Sequence, residues 1–410
     1  MRSPVSSPRK GLLRMTSDQP IHIGVLFSGT GRTAVTERSM LAATEFAIEE
    51  INASGGINGR ELCPVIRDPM GEPSAYQQLA AGLVSEDKVR VILGCYTSSQ
   101  RKAVLNVVDR QSALLCYAAQ YEGFEYSENI VYFGAVPNQN SVFLARYLLK
   151  DPAPRLYIVG SDYVWPRESG RIMGDLIRSG GGEIVGETYL DDMATPIHFD
   201  ALVRRIRKAS PDIIFNNFVG EANRNFYEAY VGNGLDARRM MVASLTTSEA
   251  DIREIGASAA AGHITAASYF ASQSNVTNQS CLARFRTRRQ EEPYANMCWD
   301  AAYTQAHVVA HAMRGGDPDN LGSIRSGILG ASFDAPQGLV SIDALNAHCY
   351  VWPKVGVARD DGQFEIVAET NCAIRPDPYR TTYEFVGDAG GSSDTAPPST
   401  PLPRISGLRQ

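Results

Sequence analysis

At 410 residues the chain exceeds what one core usually holds, and a prior of about 150 residues per domain leads us to expect two or three packed units. A composition of 44% hydrophobic and 20% charged residues is that of an ordinary globular protein and excludes disordered or fibrous classes. The net charge is -6. The basic residues gather only in short clusters, Arg204, Arg205, Arg207, Lys208 and Arg284, Arg286, Arg288, Arg289, whose spacing suits solvated helix faces, so direct nucleic-acid binding is set aside.

Residues 1–20 carry Arg2, Arg9, Lys10 and Arg14 but only Leu12 and Leu13 as an apolar pair, which predicts a disordered segment without a secretion signal and a cytoplasmic protein. From Ile21 short β-rich runs alternate with helix-length stretches. Strands are predicted at 21–27, 62–67, 89–95, 113–117 and 131–135, with helices beginning near Thr36, Ser74 and Ser98. Gly55 and Gly56 stop the first helix. After a helix over 141–149 and the break at Pro152 and Pro154, the pattern restarts with strands at 156–160, 183–190, 212–218 and 240–245, and helices near Arg167, Phe199, Asn223 and Ser248. Such repetition means βαβ units on parallel sheets, an α/β protein of two similar lobes. The tail, 386–410, holds Gly390-Gly391-Ser392-Ser393 and Ala396-Pro397-Pro398 and is expected to be disordered. No apolar run approaches the roughly 20 residues of a membrane span.

Open α/β sheets collect ligand contacts in the loops at the carboxyl ends of their strands. Those loops read Ser28-Gly29-Thr30, Cys95-Tyr96-Thr97-Ser98, Tyr117-Ala118-Ala119, Asp162-Tyr163-Val164-Trp165, Phe218-Val219-Gly220 and Thr246-Thr247. Hydroxyls, aromatics and backbone amides dominate, with hardly a charge. An ion buried there would lack a partner, so the expected guest is a small, neutral, polar molecule. Ser98 stands where a helix begins, so its hydroxyl is expected to cap that helix beside the amides that meet the ligand. An α-amino acid would instead need an acid for its ammonium, with Glu221 or Asp162 as candidates.

Catalytic and cofactor signals are weak. Gly29-Thr30-Gly31 has neither the dinucleotide fingerprint nor a P-loop lysine. His307 and His311 share a helix face but have no acid or cysteine at ligand spacing, so no metal is expected. No serine sits in GxSxG, and no base accompanies Cys95 or Cys116. The seven cysteines, an odd number without CxxC spacing, are read as free thiols. Neither enzymatic activity nor a cofactor is expected, although an amidase would share the same guest.

Longer motifs carry a resemblance. They are Gly94-Cys95-Tyr96-Thr97-Ser98, Arg101-Lys102-Ala103, Leu115-Cys116-Tyr117, Tyr121-Glu122-Gly123-Phe124-Glu125-Tyr126-Ser127 and Asn129-Ile130-Val131-Tyr132 in the first half. Pro137-Asn138-Gln139-Asn140-Ser141, Gly160-Ser161-Asp162-Tyr163 and Pro166-Arg167-Glu168-Ser169 follow. The series ends with Ala243-Ser244-Leu245-Thr246-Thr247-Ser248-Glu249-Ala250, Asp334-Ala335-Pro336-Gln337-Gly338 and Ile374-Arg375-Pro376-Asp377-Pro378-Tyr379. Over about residues 20–385 the chain resembles the amide-sensing negative regulators of aliphatic amidase operons, relatives of the type 1 periplasmic binding proteins for branched-chain amino acids, urea and short amides.

The resemblance implies two Rossmann-like lobes joined by three crossings, 21–137 with about 269–340 and 138–268 with about 341–385, holding the ligand between them. It implies an RNA-binding antiterminator as partner, and makes Tyr96, Ser98, Tyr117 and Tyr163 ligand contacts. The full candidate set adds Thr97, Ala118, Ala119, Gln120, Trp165, Val219, Gly220 and Thr246. The pocket departs from the regulator pattern where Ala118-Ala119-Gln120 replace a proline-threonine-proline run and Trp165 replaces a tyrosine. Loss of one hydroxyl partner costs about 1–3 kcal/mol, which leaves the identity of the amide open. A homo-oligomer is left open, and the alternative role is the solute-binding component of an ABC importer for urea, short amides or branched-chain amino acids.

Overall fold

In the computed structural model, which describes residues 19–289, 295–383 and 404–405, two α/β sheets face each other across a cleft. The first is built from β1 (Ile21–Leu26), β2 (Leu62–Arg67), β3 (Val91–Gly94), β4 (Leu114–Tyr117) and β5 (Ile130–Tyr132), all parallel, in the order β2-β1-β3-β4-β5. Strands β3 and β4 are buried at every position, which is why they read as unbroken apolar runs rather than alternating ones. Helices α1 (Ala34–Ala53), α2 (Pro73–Ser85) and α3 (Ser98–Gln111) connect them. The expected termini of disorder lie outside the described residues, apart from Gln19, Pro20 and the pair Arg404–Ile405.

The chain then crosses to a second lobe through α4 (Ser141–Leu148), β6 (Arg155–Ser161), α5 (Val164–Ser179), β7 (Glu183–Leu190), α6 (Pro196–Ala209), β8 (Ile213–Asn217), α7 (Glu221–Gly232), β9 (Met241–Ser244), α8 (Glu249–Ile255), α9 (Ala257–Ala260) and β10 (Ile264–Ala267). It returns to the first lobe as α10 (Val276–Arg288), α11 (Met297–Gly315), α12 (Leu321–Ile328) and the hairpin β11 (Ser332–Ala335) and β12 (Gly338–Ser341), then crosses again to add β13 (Lys354–Ala358) and β14 (Phe364–Glu369). The second sheet runs β14-β13-β10-β9-β8-β6-β7. The expectation of parallel sheets fails at this edge, where β13 is antiparallel to both β10 and β14. A tight turn joins β13 to β14, with Gly362 at φ +81° and the Arg359 amide bonded to the Gln363 carbonyl at 2.8 Å, and so short a connection permits only an antiparallel neighbour.

Aromatic packing holds α11 to α1 in the first lobe. Trp299 and Tyr303, one helical turn apart, stack at 5.5 Å and 3°, and Phe46 of α1 lies 5.6 Å from Tyr303. Phe46 and Trp299 are fully buried, so truncating either to alanine should cost roughly 3–5 kcal/mol. The crossings are stitched to one another. Gln139 Nε2 donates to Cys349 O at 3.0 Å and Ile374 O at 2.8 Å, and Asn138 exchanges hydrogen bonds with Arg375 O at 2.8 Å and Asp377 N at 2.9 Å. Residues 374–379 thereby return to the first lobe, where the Phe124 amide bonds Pro378 O at 3.0 Å.

Candidate ligand-binding cleft

The first wall of the cleft is set by how α3 begins. Thr97, not Ser98, is the N-cap: its hydroxyl accepts from the Gln100 amide at 3.3 Å, and Gln100 Oε1 accepts from the Thr97 and Tyr96 amides at 2.8 Å each. The expected capping role of Ser98 is therefore corrected. Its hydroxyl donates to Glu122 Oε2 at 2.5 Å, because the first helical position points it toward the loop after β4. Behind Thr33, Glu37 is fully buried and receives the Thr33 hydroxyl at 2.5 Å, the Ser28 amide at 2.8 Å, Gln100 Nε2 at 3.2 Å and the Tyr76 hydroxyl. Burial pushes the Glu37 carboxyl up, and these donors oppose it.

A cavity of about 320 Å³ opens between the lobes. Arg32, Thr33, Thr97 and Ser99 line it from the first lobe, and Ser161, Tyr163, Phe218 and Val219 from the second. Of the residues expected from sequence, Thr97, Tyr163 and Val219 face this space. Tyr96, Ser98, Ala118 and Ala119 are buried behind the wall, and Tyr117 is fully buried with its hydroxyl donated to Tyr96 O at 2.5 Å. Trp165 packs into the core of the second lobe instead of facing the cavity. Thr246 is half-buried, its hydroxyl bonded to Phe218 O at 3.2 Å. Gly220 forms the seam between the lobes, since the Glu221 amide beside it donates to Arg32 O at 3.0 Å.

Glu221, a candidate for an ammonium, lines the cavity as expected, whereas three further charged lining residues, Arg32, Asp191 and Asp192, were missed. The two aspartates carry the same signal as the other lining residues, because they directly follow the carboxyl end of β7. These charges are already engaged. Arg32 lies 3.4 Å from Glu72 and 3.9 Å from Asp192, Asp191 accepts the Met193 amide at 2.8 Å, and Glu221 lies 3.8 Å from Arg224. Asp162, the other candidate for an ammonium, is exposed and paired with Arg167 at 2.5 Å.

Beneath the first wall lies a buried ionic cluster. Arg101, with no exposed surface, bonds Glu122 at 2.7 Å and Glu125 at 2.7 Å, and its guanidinium sits over the rings of Tyr117 and Tyr121 at 4.9 and 4.7 Å. Burial would raise the Glu125 carboxyl, but Arg101 and Lys102 outweigh it and hold it below the usual range. Tyr163 is pushed up by burial and further by Glu122 and Asp192, so it stays a neutral phenol. The wall thus presents hydroxyls over a cluster whose charges cancel locally.

Among the described residues no catalytic constellation emerges. Cys95 and Cys116 are buried, and burial pushes both thiols up. His307 stacks on Phe333 at 5.1 Å and lies 3.7 Å from Glu50; among the described residues no group of three or more His, Cys, Asp or Glu could hold a metal. No helix among them is long and apolar enough to cross a membrane.

The family model for a periplasmic binding protein domain matches residues 21–384. The Leu/Ile/Val/Thr-binding protein of Salmonella typhimurium is 24% identical over 210 residues, covering 50% of this chain and 56% of that protein. A Leu/Ile/Val-binding protein homolog of Brucella melitensis is 25% identical over 204 residues, 48% of this chain and 53% of that one. The chain thus spans about half the length of the curated relatives it matches. Among solved structures, an ABC transporter solute-binding protein of R. palustris in complex with 4-hydroxybenzoate superposes with a TM-score of 0.78 at 22% identity, covering 86% of this chain and 97% of that one. A branched-chain amino acid transporter substrate-binding protein of Streptococcus pneumoniae in complex with isoleucine gives 0.74 at 19%, covering 85% and 98%. All four are named as solute-, substrate- or amino-acid-binding proteins. Two α/β lobes, a cavity between them and the family match agree: the chain belongs to the periplasmic binding protein family and has the type 1, leucine/isoleucine/valine-binding-like fold.

Proposed function

We propose that this chain closes its two lobes around a small, uncharged, polar solute of the short-amide or urea class and serves as the solute-binding component of an importer. The observation that carries the solute class is electrostatic. Arg32, Asp191, Asp192 and Glu221 at the cavity are all engaged by protein partners, and Arg101 beneath the wall is matched by Glu122 and Glu125. The pairs at the cavity are solvent-exposed and worth about 0–1 kcal/mol each, so the penalty for an ionic guest falls on the wall beneath, where Arg101, Glu122 and Glu125 already satisfy one another and offer it no counter-charge. A neutral amide needs only hydroxyl and backbone partners. The importer role is supported by the relatives, which are transporter solute-binding proteins.

A second role, a sensor that releases an antiterminator when the amide binds, is favoured by one specific feature. Two neighbouring motifs of the amide-regulator resemblance, 121–127 and 137–141, are met by a third from the far end of the chain, 374–379, through the Phe124–Pro378 and Asn138–Arg375 hydrogen bonds. Cell fractionation separates the roles, since an importer component accumulates outside the cytoplasmic membrane and a sensor inside it. The solute class is tested by thermal shift with a panel of uncharged amides and ureas on the wild-type chain and on Val219→Trp, which fills the cavity. Binding raises Tm by mass action. A rise in the wild type that vanishes in the variant is expected, and an equal rise in both, or none with any uncharged solute, overturns the reading.

A further inference from the structure

Gln120, in the loop after β4, reaches out of the first lobe. Its Nε2 donates to Leu245 O at the end of β9 in the second lobe, and also lies 2.8 Å from Met297 Sδ at the start of α11. Its Oε1 is buried with no hydrogen-bond partner. The Gln120 carbonyl lies 3.2 Å from the Tyr117 hydroxyl, whose one proton goes to Tyr96 O, and the adjoining backbone is pressed against Gly134, where a Cβ would stand 2.7 Å from Gln120 N. The backbone is thus fixed while the side chain spans the lobes. A carboxamide with one donor satisfied and its acceptor orphaned is a poor core group, since a buried acceptor left unpaired costs about 1–3 kcal/mol. As a purely structural choice it is disfavoured.

We infer that Gln120 is a tethered carboxamide that occupies an amide-binding position between the lobes of the solute-free chain, so that a free amide must displace it. The inference rests on the reading that the lobes close on a neutral amide, and deepens it by naming a second contact between the lobes, outside the lining of the 320 Å³ cavity, that sets affinity and size. A group on a short tether competes at an effective concentration in the millimolar range or above. A protein whose competent state is only fractionally populated binds its ligand more weakly by that fraction. Gln120 therefore weakens capture of short amides and restricts the site to solutes that take over the bond to Leu245 O.

The fragment lost in Gln120→Ala is acetamide without one hydrogen, which makes acetamide the matching probe. Small-angle scattering of the full chain reads lobe separation, and acetamide titration reads affinity. Without solute, Gln120→Ala should have a larger radius of gyration than the wild type. Acetamide should restore the wild-type radius and bind about tenfold or more tighter than it binds the wild type. Gln120→Glu, nearly the same shape but without the donor, should open as well and fail to reclose with acetamide. It keeps the test meaningful if the alanine variant misfolds. A Gln120→Ala radius equal to that of the wild type overturns the inference, as does an opened chain that acetamide never recloses. Reclosure of the variant alongside a wild type that binds no neutral solute at any concentration would leave this inference standing and sink the proposed function.

Discussion

Gly220 and Arg32 meet across the two lobes so closely that a Cβ on Gly220 would sit 2.2 Å from the Arg32 carbonyl oxygen. Gly220 also adopts φ 56° and ψ -132°, a conformation that side chains rarely take. Both facts act at the seam of the cleft, so this one position couples chain geometry to closure.

Gly220→Ala is therefore expected to fold and to close poorly. The clash with Arg32 exists only when the lobes touch, whereas the backbone strain, on the order of 1–3 kcal/mol, acts in either arrangement. Solute affinity should fall by about tenfold or more, more than the drop in stability alone would produce. Calorimetric titration beside a urea unfolding curve separates the two effects, and unchanged affinity would show that the Gly220–Arg32 contact does not belong to the bound state.

Arg101→Met should be strongly destabilising. It leaves Glu122 and Glu125 facing each other in the interior without their common counter-charge, and breaking a buried pair on one side costs about 3–5 kcal/mol. The triple variant Arg101→Met, Glu122→Gln, Glu125→Gln should recover part of that loss, because the orphaned charges are gone. Urea midpoints for the single and triple variants check this. Equal midpoints for the wild type and the single variant would mean that the cluster contributes nothing.

Protonation of two buried histidines should oppose folding as the pH falls. Burial holds His263 and His348 near pKa 4, below the ordinary value of 6.5. His263 Nδ1 accepts the Val242 amide at 2.9 Å, a bond that requires that nitrogen unprotonated. Between pH 6.5 and 4 the unfolded chain binds the extra protons, so stability is fully present above 6.5 and is lost as pH falls through this window. Each histidine contributes up to about 1.4 kcal/mol per pH unit. Glu249 and Asp300, raised by burial to about 8 and about 7, act in the opposite sense over this window, so the histidine contribution is read as the difference in urea midpoint between the wild type and His263→Gln, which should shrink from pH 7 to 4.5; a difference independent of pH would contradict the buried neutral state.

Much of the fold was legible because its signals are local. Runs such as Val91–Gly94 and Leu114–Tyr117 are apolar throughout, as strands buried on both faces must be. The antiparallel edge was not legible: β10 and β13 are four- and five-residue strands whose partners are set by a chain crossing, not by their own composition. Thr97, Tyr163 and Val219 were found from their place at strand ends. Ser98 was misread because one position separates a cap from a first helical residue, and the reach of Gln120 to Leu245 depends on a contact 125 residues apart that no local pattern records.

The neutral character of the guest is the point on which the functional reading turns, and salt dependence of binding reports it most directly. Calorimetry of the full chain against acetamide, urea, leucine and 4-hydroxybenzoate at low and high ionic strength should show an uncharged solute binding one to one, with an affinity that salt leaves unchanged. Binding confined to leucine or 4-hydroxybenzoate, and weakening as salt rises, would contradict the account.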